Sequence, residues 1–396
     1  MEQQDTPELV GFRQQVRQFI GDNLPNELRR QDSRGHFDPH GSLQDQYPEA
    51  FGRWRAALRL SGWLAPAWPQ AYGGGGLDAA RQYALNDELI KAGAPRTADI
   101  GIAMAGPTII IHGTEQQKAD LLPGILERDD RWCELFSEPG AGSDLGSLQT
   151  RAVRDGDEYV LNGQKIWTSG GARADKALLL ARTDPDAPKH RGISMFVLDM
   201  HSPGVTVQPL VNLTGSSGEF CHEFFEDVRI PVANRVGEEN RGWYYVMTTL
   251  DVERSAVSQV AAHERTLAAL LELAREPRFG SQSAAVRRAI ADRAIEVEVL
   301  RGLSDHVADL QNRNQVPNHE ASIVKLFHTE LSVRLAATAM QLIGPHGMLY
   351  RDCATAPLEG MVAYEYLYSA SRIIQVGTSE IQRNIIATRG LGLPRG

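Results

Sequence analysis

Phe136-Ser137-Glu138-Pro139-Gly140-Ala141-Gly142-Ser143-Asp144 precedes, by a short interval, Asn162-Gly163-Gln164-Lys165-Ile166-Trp167-Thr168-Ser169. Gly140 and Gly142 let main-chain N–H groups come close to a phosphate, because no Cβ stands in the way and positive φ is open to them. Trp167, followed by Thr168 and Ser169, offers a flat apolar face with hydroxyls at its edge, which suits a planar heteroaromatic cofactor. Taken singly, the glycines read as an ordinary surface turn and Trp167 as a core aromatic. The pair at this spacing points to a cofactor site.

The region around these segments has strand character. Tyr159-Val160-Leu161 leads into Asn162-Gly163, which predicts a hairpin turn, with Lys165-Ile166-Trp167 as the returning strand. Ala177–Ala181, Ile193–Leu198, Val205–Leu210 and Phe220–Ile230 are further apolar runs bounded by Pro, Gly and Asp. Strands at this spacing predict a compact β domain over residues 131–236.

On both sides the pattern is helical. Leu9, Phe12, Val16, Phe19 and Ile20 recur at helical spacing before Pro25, and Trp54, Leu58 and Trp63 form a second apolar face. Tyr72-Gly73-Gly74-Gly75-Gly76-Leu77 predicts a turn, Ala79–Ala92 a helix, and Thr114 with Gln117 a capping box. Downstream, Ile290, Ala294, Val297, Leu300, Leu303, Val307 and Leu310 make a seam at steps of three and four. Ala321–Ile343 predicts a second long helix stopped by Gly344-Pro345, and Arg372–Arg389 a third helical region broken near Gly377. The expected fold class is α+β: an N-terminal helical domain (1–130), a middle β-barrel-like domain (131–236) and a C-terminal four-helix bundle (237–396).

Composition narrows the function. The formal net charge of −9 argues against a nucleic-acid surface, which needs a basic patch. Cys133, Cys221 and Cys353 are odd in number and lack C-x-x-C spacing, so they predict neither a disulfide framework nor a metal site. The start, Met1-Glu2-Gln3-Gln4-Asp5, has no basic or apolar leader, and no run approaches the length of a membrane span. Cytoplasmic location is the expectation.

The two opening segments resemble the FAD-binding signature of the acyl-CoA dehydrogenase family, and further stations follow in order. Trp68-Pro69-Gln70-Ala71-Tyr72-Gly73-Gly74 is similar to the family's N-terminal turn. Pro231-Val232 with Gly237-Glu238-Glu239-Asn240-Arg241-Gly242-Trp243 is similar to its β-to-α junction, and Gly377-Thr378-Ser379-Glu380-Ile381-Gln382-Arg383-Asn384 to its C-terminal signature. The resemblance implies α,β-dehydrogenation of an acyl-CoA thioester. A carboxylate removes the α-proton while hydride leaves the β-carbon for the flavin, and an N–H stabilises the charge that grows on the thioester oxygen.

It also implies roles. Phe136, Ser137, Gly142, Ser143, Trp167 and Ser169 would contact FAD, with Thr378 a flavin-side contact and Glu380 a cofactor-side or structural residue. Most members of the family carry the base immediately before the Gly-Thr of the C-terminal signature, where this chain has Val376, whose main-chain N–H would still serve the substrate. Leu250-Asp251-Val252-Glu253-Arg254 is similar to the pattern of isovaleryl-CoA dehydrogenase-like members, which implies Glu253 as base and places Arg254 near the substrate. The bland reading of Glu253 and Arg254 is a solvated helical ion pair. Arg275-Glu276-Pro277-Arg278-Phe279-Gly280 and Gln341-Leu342-Ile343-Gly344-Pro345 depart from the family's inter-subunit FAD contacts, although Gln341 and Gly344 keep their places. That departure is similar to members acting on branched or bulky acyl groups, some paired with a different subunit. Electron-transfer flavoprotein as electron acceptor and a homotetramer or heterotetramer are the expected partners. The alternatives are a flavin oxidase or monooxygenase of the same fold, and a structural subunit of a heteromer.

Overall fold

The computed structural model describes residues 6–29, 44, 46–95, 97, 99–127, 130–247, 259–279, 283–313, 315–350 and 353–394. The described residues fall into two compact units. One comprises the residues up to 67, 75–97 and those from 259 onward; the other comprises 68–74 and 99–247.

The first unit is helical. Helices α1 (Pro7–Asn23), α2 (Pro48–Leu60) and α3 (Ala79–Lys91) precede α6 (Gln259–Arg275), α7 (Ala284–Asn312), α8 (His319–Ile343), α9 (Met361–Arg372) and α10 (Ser379–Ile385). Helices α6 to α9 form the expected bundle, with α8 packed on α6, α7 and α9. The predicted seam is realised: Ile290, Val297, Leu300 and Val307 of α7 share a core with Val324, Leu331, Leu335 and Leu342 of α8. At the other end of the chain, Phe19 meets Trp54 and Trp63 at centroid distances of 5.7 and 4.8 Å. Arg13 ties α1 to α3 through Asp87 at 2.5 Å and Glu88 at 3.3 Å.

In the second unit, α4 (Gly106–His112) and α5 (Glu115–Glu127) precede strands β1 (Trp132–Leu135), β2 (Arg151–Asp155), β3 (Glu158–Ser169), β4 (Lys176–Arg182), β5 (Ile193–Asp199), β6 (Val205–Val211), β7 (Ser217–Pro231) and β8 (Arg235–Val236). They form one sheet in the order β6-β7-β3-β2-β4-β5-β8, with β1 also paired to β4. Strands β1 and β2 both run parallel to β4, at Lys176–Leu179 and at Arg182 respectively. Side chains from β1, β4 and β5 (Leu135, Leu179, Phe196) and from β3 and β7 (Leu161, Phe225, Ile230) enter one core, so the sheet curls around it.

The capping box is present: Thr114 Oγ1 accepts from Gln117 N at 3.1 Å and Gln117 Oε1 accepts from Thr114 N at 3.0 Å. The hairpin expected at Asn162-Gly163 is not there. Strand β3 runs straight through it, and the tight turn lies at the Asp155–Glu158 pair. Asn162 instead exchanges two bonds with Asp227 across to β7, at 2.9 and 3.0 Å, and the pairing shifts register between Leu161 and Gly163. A side chain with a cross-strand partner makes Asn-Gly a bulge rather than a turn.

The Trp68–Gly74 station is a packing device. Trp68 is 2% exposed, its Nε1 donates to Ile102 O at 3.0 Å, and a Cβ at Gly106 would come within 1.7 Å of its ring.

Candidate functional site

The Gly-rich segment hangs from the end of β1 and is fixed by a buried ion pair. Lys165, fully buried on β3, donates to Glu138 Oε1 at 2.8 Å and to Phe136 O at 2.9 Å. The Glu138 carboxylate also accepts from the N–H groups of Gln149 and Thr150, at 2.6 and 2.9 Å. Burial alone would raise the Glu138 carboxyl, but the Lys165 ammonium and these hydrogen bonds outweigh it and hold it below its ordinary value. Ile166 N binds Ser137 O at 3.0 Å, so the loop and β3 are joined by main chain and by charge. Gly140, Gly142 and Ser143 remain exposed at the surface of this anchored turn, and Lys189 pairs with Asp144 beside them.

Trp167 stands where β3 breaks register. Ile166 pairs with His222 and Thr168 with Cys221, which leaves Trp167 as the extra residue of a bulge. Its φ is +67° and its side chain is 62% exposed. A bulky residue in the left-handed region costs about 1–3 kcal/mol and persists where the surroundings over-determine it. The bulge places an indole on the surface, with the exposed Ser169 two residues away. Beneath it, Thr168 Oγ1 donates to Glu223 Oε2 at 2.5 Å. Glu223 is fully buried on β7, and burial pushes its carboxyl up to about 7 against the opposing Thr168 bond.

An exposed, strained indole, two hydroxyls at Ser143 and Ser169, and an anchored glycine turn fit a cofactor with a planar ring and a phosphate chain. Phe136 is buried and Ser137 half-buried at the root of that turn. The fit rests on exposed groups that the core does not use.

Gln341, Gly344, Val376, Thr378 and Glu380 lie in the helical unit. Between α9 and α10 the chain turns through Val376, with φ +54°, and Gly377, with φ +83°. Val376 is half-buried, and a β-branched residue at positive φ is a genuine outlier. The φ of Gly377 is one that L side chains rarely adopt, and a Cβ there would also crowd Gln382 Nε2 at 2.7 Å, so glycine is favoured at this position. Thr378 is the N-cap of α10, its Oγ1 accepting from Ile381 N at 3.2 Å. Glu380 is exposed in the first turn of α10. Its carboxyl is held below its ordinary value by its own main-chain N–H and the Thr378 hydroxyl. Gln341 is exposed in the last turn of α8, and Gly344 follows it at φ +57°. Phe279, buried at the end of the altered Arg275–Phe279 run, meets His346 edge-on at 5.5 Å, so the two departures from the family pattern adjoin. Glu253 and Arg254 lie outside the described residues.

Sequence reasoning missed Glu138, Lys165 and Glu223 as supports of the site. A signal existed for Glu223: Cys221, Glu223 and Phe225 alternate along β7 and all three are buried, so a carboxyl occupies a core-facing register.

The acyl-CoA dehydrogenase N-terminal domain model matches residues 6–129, the middle domain model 133–228 and the C-terminal domain model 240–391. The chain therefore belongs to the acyl-CoA dehydrogenase family, a class of oxidoreductases acting on acyl-CoA. It is 35% identical to "Acyl-CoA dehydrogenase IpdE1" of Mycobacterium tuberculosis over 97% of each chain. Among solved structures it is similar to the ChsE4-ChsE5 complex of Mycobacterium tuberculosis, with a TM-score of 0.83, 34% identity and complete coverage of both chains. It is equally similar to the Tcur3481-Tcur3483 steroid ACAD, with a TM-score of 0.83, 32% identity and complete coverage. No described helix is long and apolar enough to cross a membrane, and no group of three metal-ligating side chains occurs among the described residues.

Proposed function

We propose that the protein is an FAD-dependent acyl-CoA dehydrogenase that introduces an α,β double bond into a branched or bulky acyl-CoA, with Glu253 as the base. The Glu253 carboxylate takes the α-proton as the C–C double bond forms. Bound FAD supplies the hydride acceptor for the β-carbon. Phe136, Ser137, Gly142, Ser143, Trp167 and Ser169, with Gln341, Gly344, Thr378 and Glu380, hold the cofactor, and Arg254 and the Val376 main chain hold the substrate.

The observation that carries this reading is position 376. An apolar side chain stands there on a strained turn, so no proton acceptor is available at the family's usual place, while Leu250–Arg254 supplies the alternative pattern. The bulky substrate class is supported by the relative whose title names a steroid. The relative described as a complex supports assembly with a second, different subunit, against a homotetramer. The domains are taken as 1–130, 131–236 and 237–396, the location as the cytoplasm, and electron-transfer flavoprotein as the acceptor.

The test is an anaerobic titration of the FAD-loaded protein, with and without co-expressed candidate partners, against butyryl-CoA, isobutyryl-CoA, cyclohexane-1-carbonyl-CoA and a steroid side-chain CoA thioester. One of these should bleach the flavin. Glu253→Gln should retain FAD and slow bleaching by about 10²–10⁴-fold. Bleaching at the native rate in that variant would remove Glu253 from the mechanism. Rapid peroxide release in air would turn the reading toward an oxidase.

A further inference from the structure

The carbonyls of the turn between α9 and α10 are held by two buried side chains from two different helices. Lys325, on α8 and 3% exposed, donates from Nζ to Gly377 O at 2.6 Å and to Arg372 O at 3.4 Å. Gln382, on α10 and fully buried, donates from Nε2 to Val376 O at 3.0 Å and to Gly377 O at 3.2 Å. Two consecutive carbonyls therefore receive three donors from the interior. The N–H groups of Val376, Gly377 and Thr378 have no partner among the described residues.

The arrangement is costly to keep. Among the described residues, neither Gln382 Oε1 nor Ser379 Oγ, both buried, has a hydrogen-bond partner. A buried amide with one end unsatisfied calls for an explanation, and the bonds at its other end supply one. What that end does is lock Val376 at φ +54° and Gly377 at φ +83°, torsions that a valine does not hold unaided. A donor on a carbonyl also polarises the N–H of the same peptide unit. Lys325 on Gly377 O thus strengthens Thr378 N–H as a donor, and Gln382 on Val376 O strengthens Gly377 N–H.

We propose that Lys325 and Gln382 are positioning residues that hold the Val376 and Gly377 carbonyls inward, so that the N–H groups of the same peptide units, those of Gly377 and Thr378, are presented to the thioester oxygen of the acyl-CoA. This rests on the acyl-CoA reading of the site. The plainer role for Lys325 is capping the C-terminal carbonyl of α9 at Arg372, which would stabilise the bundle without regard to the ligand.

The two roles separate in a binding measurement that involves no turnover. The probes are the 2-enoyl-CoA product of whichever panel member bleaches the flavin, and the CoA thioether of the same skeleton, which lacks the carbonyl oxygen. Dissociation constants are measured by calorimetry on the FAD-loaded protein. The native protein binds the thioester about tenfold or more tightly than the thioether. In Lys325→Met and in Gln382→Met that ratio falls toward one through loss of thioester affinity, with thioether affinity kept within about twofold, and Lys325→Arg recovers part of it. Gln382→Met removes no charge and carries the test if Lys325→Met does not fold. If both ligands weaken in parallel, or the native ratio survives in the variants, the positioning role is wrong while the acyl-CoA reading stands. If the native protein does not distinguish the two ligands, the carbonyl contact itself fails and the proposal falls with it.

Discussion

At the residue scale, the charged groups that matter most are the ones with no water around them. Lys165→Met would leave the Glu138 carboxylate buried with only its two main-chain donors. Breaking a buried pair from one side costs about 3–5 kcal/mol. We expect that loss in urea unfolding, with part of it recovered in the Lys165→Met/Glu138→Gln double variant. Glu223 gives a pH signature. Its carboxyl is raised to about 7 in the folded state, so the native protein holds a proton that the unfolded chain releases near pH 4–5. Its contribution to stability is complete below that range and is lost as pH rises toward 7. Thermal unfolding between pH 5 and 8 should therefore show a decline that Glu223→Gln flattens, since glutamine keeps an acceptor for Thr168 and has no proton to lose. A native slope retained in Glu223→Gln would assign the decline to other groups. The sequence pattern nominated Gly142, Ser143, Trp167 and Ser169, and all four are exposed, open to a ligand. Glu138 and Lys165 were hidden because their pairing depends on where β1 ends relative to β3.

At the scale of elements, local chemistry is legible where a residue has a partner within one turn and fails where the partner is distant. Thr114 and Gln117 needed only each other. Gln117 also donates from Nε2 to Ala233 O and Arg235 O, at 2.8 and 2.9 Å, a link that spacing could not reveal. Thr114→Ala should cost about 1 kcal/mol, the usual loss for an N-cap. Gln117→Ala should cost more, because it strips two carbonyls as well, and equal losses in denaturant titrations would show the long-range bonds to be idle. Asn162-Gly163 is the opposite case. Its partner Asp227 lies on β7, and that contact overrides the turn preference. The break expected near Gly377 was legible from one glycine, but the positive φ of Val376 was not, because the donors that hold this turn, Gln382 on Val376 O and Lys325 on Gly377 O, come from two other elements.

For the whole molecule, the three thiols Cys133, Cys221 and Cys353 are free and differ in burial. The first two are fully buried, and burial raises both thiols. Cys353 is half-buried, and its thiol is lowered by the hydroxyl and main chain of Thr355. A thiol reagent should therefore modify one cysteine of the native protein and three after unfolding, and reductant should leave Tm unchanged. Early modification of a second thiol would mean that the sheet core opens readily. The order of helices, sheet and helices was legible from periodicity alone, because each period depends only on neighbouring residues. The return of the first helices to the unit built by α6 to α10 was not, since it depends on contacts between opposite ends of the chain.

The charge-welded turn at Glu138 and Lys165 also bears on how a cofactor arrives. Its scaffold is complete within the protein, so the amide protons of Gln149 and Thr150 should exchange slowly with deuterium even before loading. Capture then becomes a docking onto a finished surface, not an ordering event: its observed rate should climb linearly with added flavin, with no slow unimolecular plateau.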